Sequence, residues 1–308
     1  MSAPTLPSIA AGLRAALVEV LWAQWGGLEA WPTGKPARSV VDPEALVLAS
    51  LWLEPEEARL WRLLRVWAAG GARYLSVQRI KNLAPHYPAA ARARLGDFAR
   101  ECLTRGKDAR WKPLVRVAAR GAGAGKELEP ATRITTPAAL VLRLRIGLGV
   151  GIKADVLAYL LGSAGARRTG RDVALATSYA RRATDRALEE LVMAGFVTAL
   201  ATSPVSYRAP EDRWEPLLEL GKDPPYWWHW DLLYRFAGAL GEAAEEVREA
   251  SPFLQASRAR DVMAAHYAAF DLNAVPAREV TAAPGEAYLA VLAADVEELG
   301  RRMRRNMI

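Results

Sequence analysis

Guanidinium groups crowd one stretch of this chain. Arg167, Arg168 and Arg171 stand in a Gly/Ala-rich segment, Arg181, Arg182 and Arg186 follow within the next fifteen positions, and Arg208 comes soon after. Arginine's planar fork pairs with phosphate oxygens and with the acceptor edge of guanine, so this grouping suits the holding of a polyanion rather than the making of bonds. Other candidates for chemistry fall away. Gly121-Ala-Gly-Ala-Gly-Lys126 resembles a phosphate loop, but Arg120 precedes it, Glu127 follows it, and no apolar strand leads into it. Gly147-Leu-Gly149-Val-Gly151 has Ile152 where a dinucleotide loop needs its third glycine. His86, His229 and His266 are far apart, and the single cysteine, Cys102, excludes a disulfide framework and a cysteine-cluster zinc site. The paired acids at 56–57, 189–190, 245–246 and 297–298 read as solvated helix faces. No metal, no cofactor and no enzymatic centre is expected.

The elements that must carry these arginines read as helix, turn, helix, hairpin. Thr184, Ala187, Leu188 and Leu191 fall at i, i+3, i+4 and i+7, which makes one buried stripe on a helix over 179–194. A short helix over 172–176 precedes it, with Val173 and the small Ala174 as the facing surface. Gly195 suits the left-handed position that ends a helix. Residues 196–200 and 205–209 read as two strands around Thr202-Ser203-Pro204. Arg181, Arg182, Asp185, Arg186, Glu189 and Glu190 are left on the outer face. Cations at the start of this helix and acids at its end oppose the helix dipole, at about 0.3–1 kcal/mol for each misplaced charge. A helix that enters a DNA groove by its leading end needs cations there. The same residues can also pair within the helix, Arg181 with Asp185 and Arg186 with Glu190, both at i, i+4.

Charge is uneven along the 308 residues, whose net charge is +7. Residues 51–200 hold 26 basic and 13 acidic side chains, whereas residues 201–308 hold 12 and 17. A basic middle and an acidic end suit one polyanion-binding face, the remainder serving packing or partners. The length suggests two or three folding units. Helical periodicity continues through residues 9–31, 42–53, 76–83 and 89–103, then through 231–249, 253–270 and 286–303. The Gly- and Pro-rich residues 120–137 read as a linker. The fold class is mainly α: a helical multi-domain protein with an N-terminal helical domain (1–119), a central helix-turn-helix with a small hairpin (138–222) and a C-terminal helical domain (223–308). Arg110-Trp111-Lys112-Pro113-Leu114 recurs as Arg213-Trp214-Glu215-Pro216-Leu217, which leaves open that the first half is a degenerate copy of the central unit.

Residues 172–197, Asp-Val-Ala-Leu-Ala-Thr-Ser-Tyr-Ala-Arg-Arg-Ala-Thr-Asp-Arg-Ala-Leu-Glu-Glu-Leu-Val-Met-Ala-Gly-Phe-Val, resemble the DNA-reading segment of MarR-like winged-helix regulators, a resemblance confined to about residues 140–218. It implies a winged helix-turn-helix that places Arg181, Arg182, Asp185 and Arg186 toward bases and phosphates. It implies that the hairpin tip, with Ser203, Ser206 and Arg208, lies on the backbone or in the minor groove, and phosphate contacts are expected from Arg167, Arg168 and Arg171 before the motif and from Arg208 after it. Ala180 stands where such proteins carry a Ser or Thr cap, so Ser178 is expected to cap instead. Thr184 stands where Val or Ile usually packs.

Double-stranded DNA is therefore the expected partner and transcriptional regulation the expected role. An alternative is an antitoxin-like or defence-system subunit that holds a partner protein through its helical flanks. A homodimer is compatible with both. The aromatic run holding Tyr226, Trp227, Trp228 and Trp230 reads first as a domain-junction core, then as an oligomer interface, then as a ligand pocket. Arg14 and Glu19 interrupt the most apolar N-terminal run, so no membrane association is expected, and a cytoplasmic location is.

Overall fold

The computed structural model describes residues 3–30, 37–115, 134–221 and 224–305. Most of the expected linker, and all of its glycine-rich loop, lie outside the described residues.

Helices dominate, and local chemistry sets where many of them begin. Thr5 and Ser8 form a capping box that opens α1 (Leu6–Gly27), and Asp42 caps α2 (Pro43–Leu53), whose first residue is the proline that a helix tolerates there. Next come α3 (Arg59–Gly70), α4 (Val77–Leu83), capped by Ser76, and α5 (Ala89–Thr104). A six-residue 3-10 stretch, Ala109–Leu114, follows. Beyond the linker run α6 (Leu140–Leu148), α7 (Ile152–Leu161), the two-residue β1 (Arg168–Thr169), α8 (Gly170–Thr177) and α9 (Arg181–Met193). β2 (Thr198–Leu200), β3 (Ser206–Arg208) and α10 (Glu211–Leu218) complete the middle of the chain. The C-terminal part is α11 (Trp230–Glu246), α12 (Pro252–His266), α13 (Ala268–Asp271) and α14 (Tyr288–Arg305). The three strands form one antiparallel sheet in the order β1-β3-β2, with Arg168 opposite Tyr207 and Thr198 opposite Arg208.

Two hydrophobic clusters organise these elements. The larger draws Leu17, Leu21 and Trp25 from α1, Leu46 and Leu53 from α2, Phe98 from α5, Phe236 and Leu240 from α11, and Leu292 and Leu299 from α14. The expected N- and C-terminal domains thus share a single core. The smaller cluster belongs to residues 140–220, with Val156, Leu157, Leu160, Val173, Leu188 and Leu191, joined by Val40 from the larger body. The short segment 39–41 connects the two. Val41 N–H donates to the Ala138 carbonyl, just before α6, and Val40 N–H donates to that of Tyr226, just before α11, both at 2.9 Å.

The aromatic run lies at that junction. Trp228 and Trp230 are 7% and 1% exposed within the larger core, and Trp230 Nε1–H donates to Ser39 Oγ. Their rings are spent on the chain's own packing, which corrects the expectation of an interface or ligand pocket for these two. Tyr226 and Trp227 are half-buried, one against each cluster, and Trp227 N–H reaches the Gly162 carbonyl at 2.6 Å.

The repeated pentapeptide has a structural counterpart. Trp111 and Trp214 each sit on a helical stretch that contains a proline, and each meets a phenylalanine edge-on, Phe98 at 5.3 Å and Phe196 at 5.4 Å. Ser76 and Thr169 occupy matching cap positions, each accepting from the backbone N–H three residues on. In the first segment no strand stands between Thr104 and Trp111.

α1 is long and apolar enough to cross a membrane by length and composition, so Arg14 and Glu19 do not interrupt it as expected. Its buried face packs on α2, α11 and α14. Buried polar groups fix it there: Tyr234 Oη–H donates to Gln24 Oε1 at 2.7 Å, and Trp25 Nε1–H donates to Ser50 Oγ at 3.0 Å.

Candidate nucleic-acid interface

α8 and α9 are joined by the three residues 178–180. α8 begins in a capping box in which the Thr169 hydroxyl accepts from Asp172 N–H and the Asp172 carboxylate accepts from Thr169 N–H. α9 has the expected buried stripe of Thr184, Ala187, Leu188 and Leu191. Thr184 tolerates this burial because its hydroxyl donates to the Ala180 carbonyl. Gly195 takes φ +74° and turns the chain out of α9, a conformation costly for any residue with a Cβ.

Ser178 does not cap α9. It takes the left-handed conformation, φ 57°, at the end of α8, and Ala180 opens α9 with no side-chain cap. The turn is secured from outside instead. Arg79 Nε–H donates to the Thr177 carbonyl at 2.8 Å, and Asn82 Nδ2–H donates to the Ser178 carbonyl at 3.0 Å. Tyr179 Oη–H donates to Asp155 Oδ2 at 2.8 Å, with Ser76 Oγ at 3.3 Å.

These contacts belong to a buried charge network that fastens the smaller cluster to the larger. Arg79 bonds both oxygens of Asp42 at 2.5 Å and Glu44 at 2.7 Å, and Arg145 bonds Glu44 at 2.5 Å and Asp155 at 2.7 Å. All five side chains are almost fully buried. Burial alone would raise the Glu44 carboxyl, but Arg145 and Arg79 outweigh it and hold the group below the usual carboxylate range. Burial, then the neighbouring Asp155 charge, pushes the Tyr179 phenol up, so it stays a donor.

On the outer face of α9 the arginines project as the spacing predicts. Arg186 has 81% of its side chain exposed, and its Nε–H donates to Glu190 Oε1 at 3.0 Å. Arg181 Nε–H donates to Asp185 Oδ1 at 2.8 Å. The two intrahelical pairs therefore form, both at the surface. Lys153 on α7 also reaches Glu190 at 2.7 Å, and these two cations, Lys153 first, hold that carboxyl below its ordinary range. Arg167, Arg171, Arg182 and Arg208 are exposed and make no ion pair among the described residues.

The sequence-predicted residues lie on α8, α9 and the adjoining sheet, but not all on one face: Tyr207 is the β3 residue near Arg181 and Asp185, so its neighbour Arg208 belongs to the other face of the sheet. Gly170 abuts the Arg181–Asp185 pair so closely that a Cβ there would lie 2.4 Å from Asp185 Oδ1, which sets Arg171 beside the first turns of α9. β1, which the sequence reads as loop, pairs with β3 and so joins the basic segment to the strand bearing Arg208. Arg168 is half-buried, its guanidinium 5.9 Å from the Tyr159 ring and its Nε–H on Ser163 Oγ. It is a packing residue as much as an exposed cation. In the hairpin tip the Thr202 hydroxyl donates to the Pro204 carbonyl at 2.7 Å, and Ser203 is exposed.

Sequence reasoning missed the buried network. Its visible signal is a charge set among apolar neighbours: Glu44 in Pro-Glu-Ala-Leu-Val, Arg145 in Leu-Arg-Ile, Asp155 in Ala-Asp-Val-Leu. Among the described residues no group of three His, Cys, Asp or Glu could hold a metal ion.

Compared with protein-family models, curated proteins and solved structures, the chain finds no match in any of the three.

Proposed function

We propose that residues 140–220 act as a winged helix-turn-helix that binds double-stranded DNA, and that the protein is a transcriptional regulator of the kind the MarR-like resemblance implies. One observation carries this reading. On the leading turns of α9 Arg182 and Arg186 stand exposed, and among the described residues only the rims of that face are touched, by Gly170 at the Arg181–Asp185 pair and by Lys153 at Glu190. An exposed helix of this polarity fits the major groove, while β2 and β3 with Arg208 fit the flanking backbone. The ion pairs of Arg181 and Arg186 do not oppose the reading, because exposed i, i+4 pairs contribute only about 0.3–0.5 kcal/mol and yield readily to phosphate. A two-fold symmetric site would call for two copies of the chain, and a cytoplasmic location accords with this role.

The test is a gel-shift titration of the full chain against genomic fragments, with an Arg182→Ala/Arg186→Ala variant alongside. Binding is expected to weaken at least about tenfold with helix content unchanged, and wild-type affinity should fall with salt at a slope of about −0.9 per phosphate neutralised. Equal affinity of variant and wild type, or a flat salt profile, overturns the reading.

A second reading, a subunit that holds a partner protein by its helical flanks, is favoured by Phe253 and Leu254, which stand 65% and 50% exposed at the start of α12. Loss of a co-purifying protein in a Phe253→Ser/Leu254→Ser variant, with DNA binding intact, would support it.

A further inference from the structure

We infer that α4, which lies outside the winged unit, is part of the same DNA-binding surface, with Lys81 contacting a phosphate beside the groove that α9 enters and Gln78 offering a neutral donor next to it. The inference rests on the function proposed above.

The argument starts from one chain of hydrogen bonds. Gln78 Nε2–H donates to Asn82 Oδ1 at 3.0 Å, one helical turn on, and Asn82 Nδ2–H donates to the Ser178 carbonyl at 3.0 Å. Ser178 lies two residues before Ala180, where α9 opens. α4 is therefore joined at its flank to the turn that delivers the leading end of α9. Its inward side is fixed by Arg79 in the buried network and by Ile80 and Leu83 in the larger core.

The opposite side is free. Gln78 and Lys81 are exposed, Lys81 makes no ion pair among the described residues, and α4 carries no acid. The major groove is about 12 Å wide and bounded on both sides by phosphates. If Arg181 and Arg182 are to reach base edges, residues 178–180 must come up to one of those boundaries. α4, bonded to that turn, arrives with it. A lysine on a flexible four-carbon stem, unpaired and beside a neutral amide, suits the backbone of the duplex rather than its bases.

Of the arginines on α5, the next helix, Arg94 is paired with Glu54 and Arg92 is held on the Tyr87 carbonyl. Lys81 instead stands one residue before Asn82, the residue that bonds the Ser178 carbonyl.

The experiment compares Lys81→Gln with Lys112→Gln in the full chain. Lys112 is an exposed lysine on the 3-10 stretch after α5, so both variants lose one charge. Lys81→Gln is expected to weaken binding to a fixed duplex about tenfold at 0.1 M salt and to make the salt slope shallower by about 0.9, one phosphate's share. Lys112→Gln is expected to change neither, and both should unfold at the wild-type urea midpoint. Equal affinity and slope for the two variants, while Arg182→Ala/Arg186→Ala still abolishes binding, overturns the role of α4 and leaves the function standing. A wild-type chain that binds no duplex overturns both.

Discussion

Arg79 spans the junction between the two clusters: its terminal nitrogens hold Asp42 at 2.5 Å, while its Nε–H reaches the Thr177 carbonyl at 2.8 Å. One side chain thus ties the start of α2 to the end of α8. Replacing it with methionine leaves the buried Asp42 without its bonded cation and Glu44 with Arg145 alone, which it shares with Asp155. A loss of about 3–5 kcal/mol in urea unfolding is expected, since a buried carboxylate without its partner bears its full desolvation cost. Adding Asp42→Asn should recover part of that loss. A single variant as stable as wild type would show that the network contributes little.

Asp185 restrains Arg181. The pair is exposed and lies against Gly170, so under the proposed DNA-binding role the acid would both neutralise a cation meant for the groove and repel the duplex by its own charge. Asp185→Asn is expected to strengthen duplex binding several-fold and to steepen its salt dependence, read by fluorescence anisotropy. Weaker binding would mean that Asp185 is needed to orient Arg181, or contacts a base itself.

Stability should fall as acid is added through the histidine range. Burial, with Arg168 nearby, pushes the His229 imidazole down to about 4 from its ordinary value near 6.5. A group depressed in the folded state gives its full contribution above the unfolded value, and loses it as pH falls toward the folded one. Up to about 3 kcal/mol should therefore disappear between roughly pH 6.5 and 4. Asp231, raised by burial, acts in the opposite sense, so the measurement is cleanest in an Asp231→Asn background. His229→Gln should flatten the profile of thermal midpoint against pH, and an unchanged slope would assign the loss to other groups.

The Cys102 thiol should be inert in the native chain. Burial first, then the Asp108 and Glu101 charges, push its ionisation up, so little thiolate forms at neutral pH. A colourimetric thiol reagent is expected to leave it unmodified without denaturant and to titrate one thiol in 6 M urea. Fast native reaction would mean that α5 opens readily from α2.

Much of the central unit is legible in sequence because its signals are local. The stripe from Thr184 to Leu191 is set by the helical period alone, and Gly195 needed only its freedom at positive φ. Ser178 departs from its expected capping role for a physical reason. Its role in the turn depends on Asn82, ninety-six residues away, which holds its carbonyl from outside. β1 was hidden for the same cause, since two residues become a strand only when β3 lies beside them. The single core shared by α1 and α14 left no trace in either segment, because each helix declares an apolar face but not which face it meets.

Val40 and Val41, adjacent in the chain, clasp both the way into the smaller cluster and the way out of it. Topologically that cluster is a guest spliced into its host. A ribosome making this chain must release the whole guest before α11 to α14 emerge to seal the host around α1. Until that moment the side of α1 that meets α11 and α14 lacks its cover, although α2 and Trp67 already shield Trp25, so the newborn chain passes through a stage in which part of its larger core lies open while residues 140–220 have already emerged.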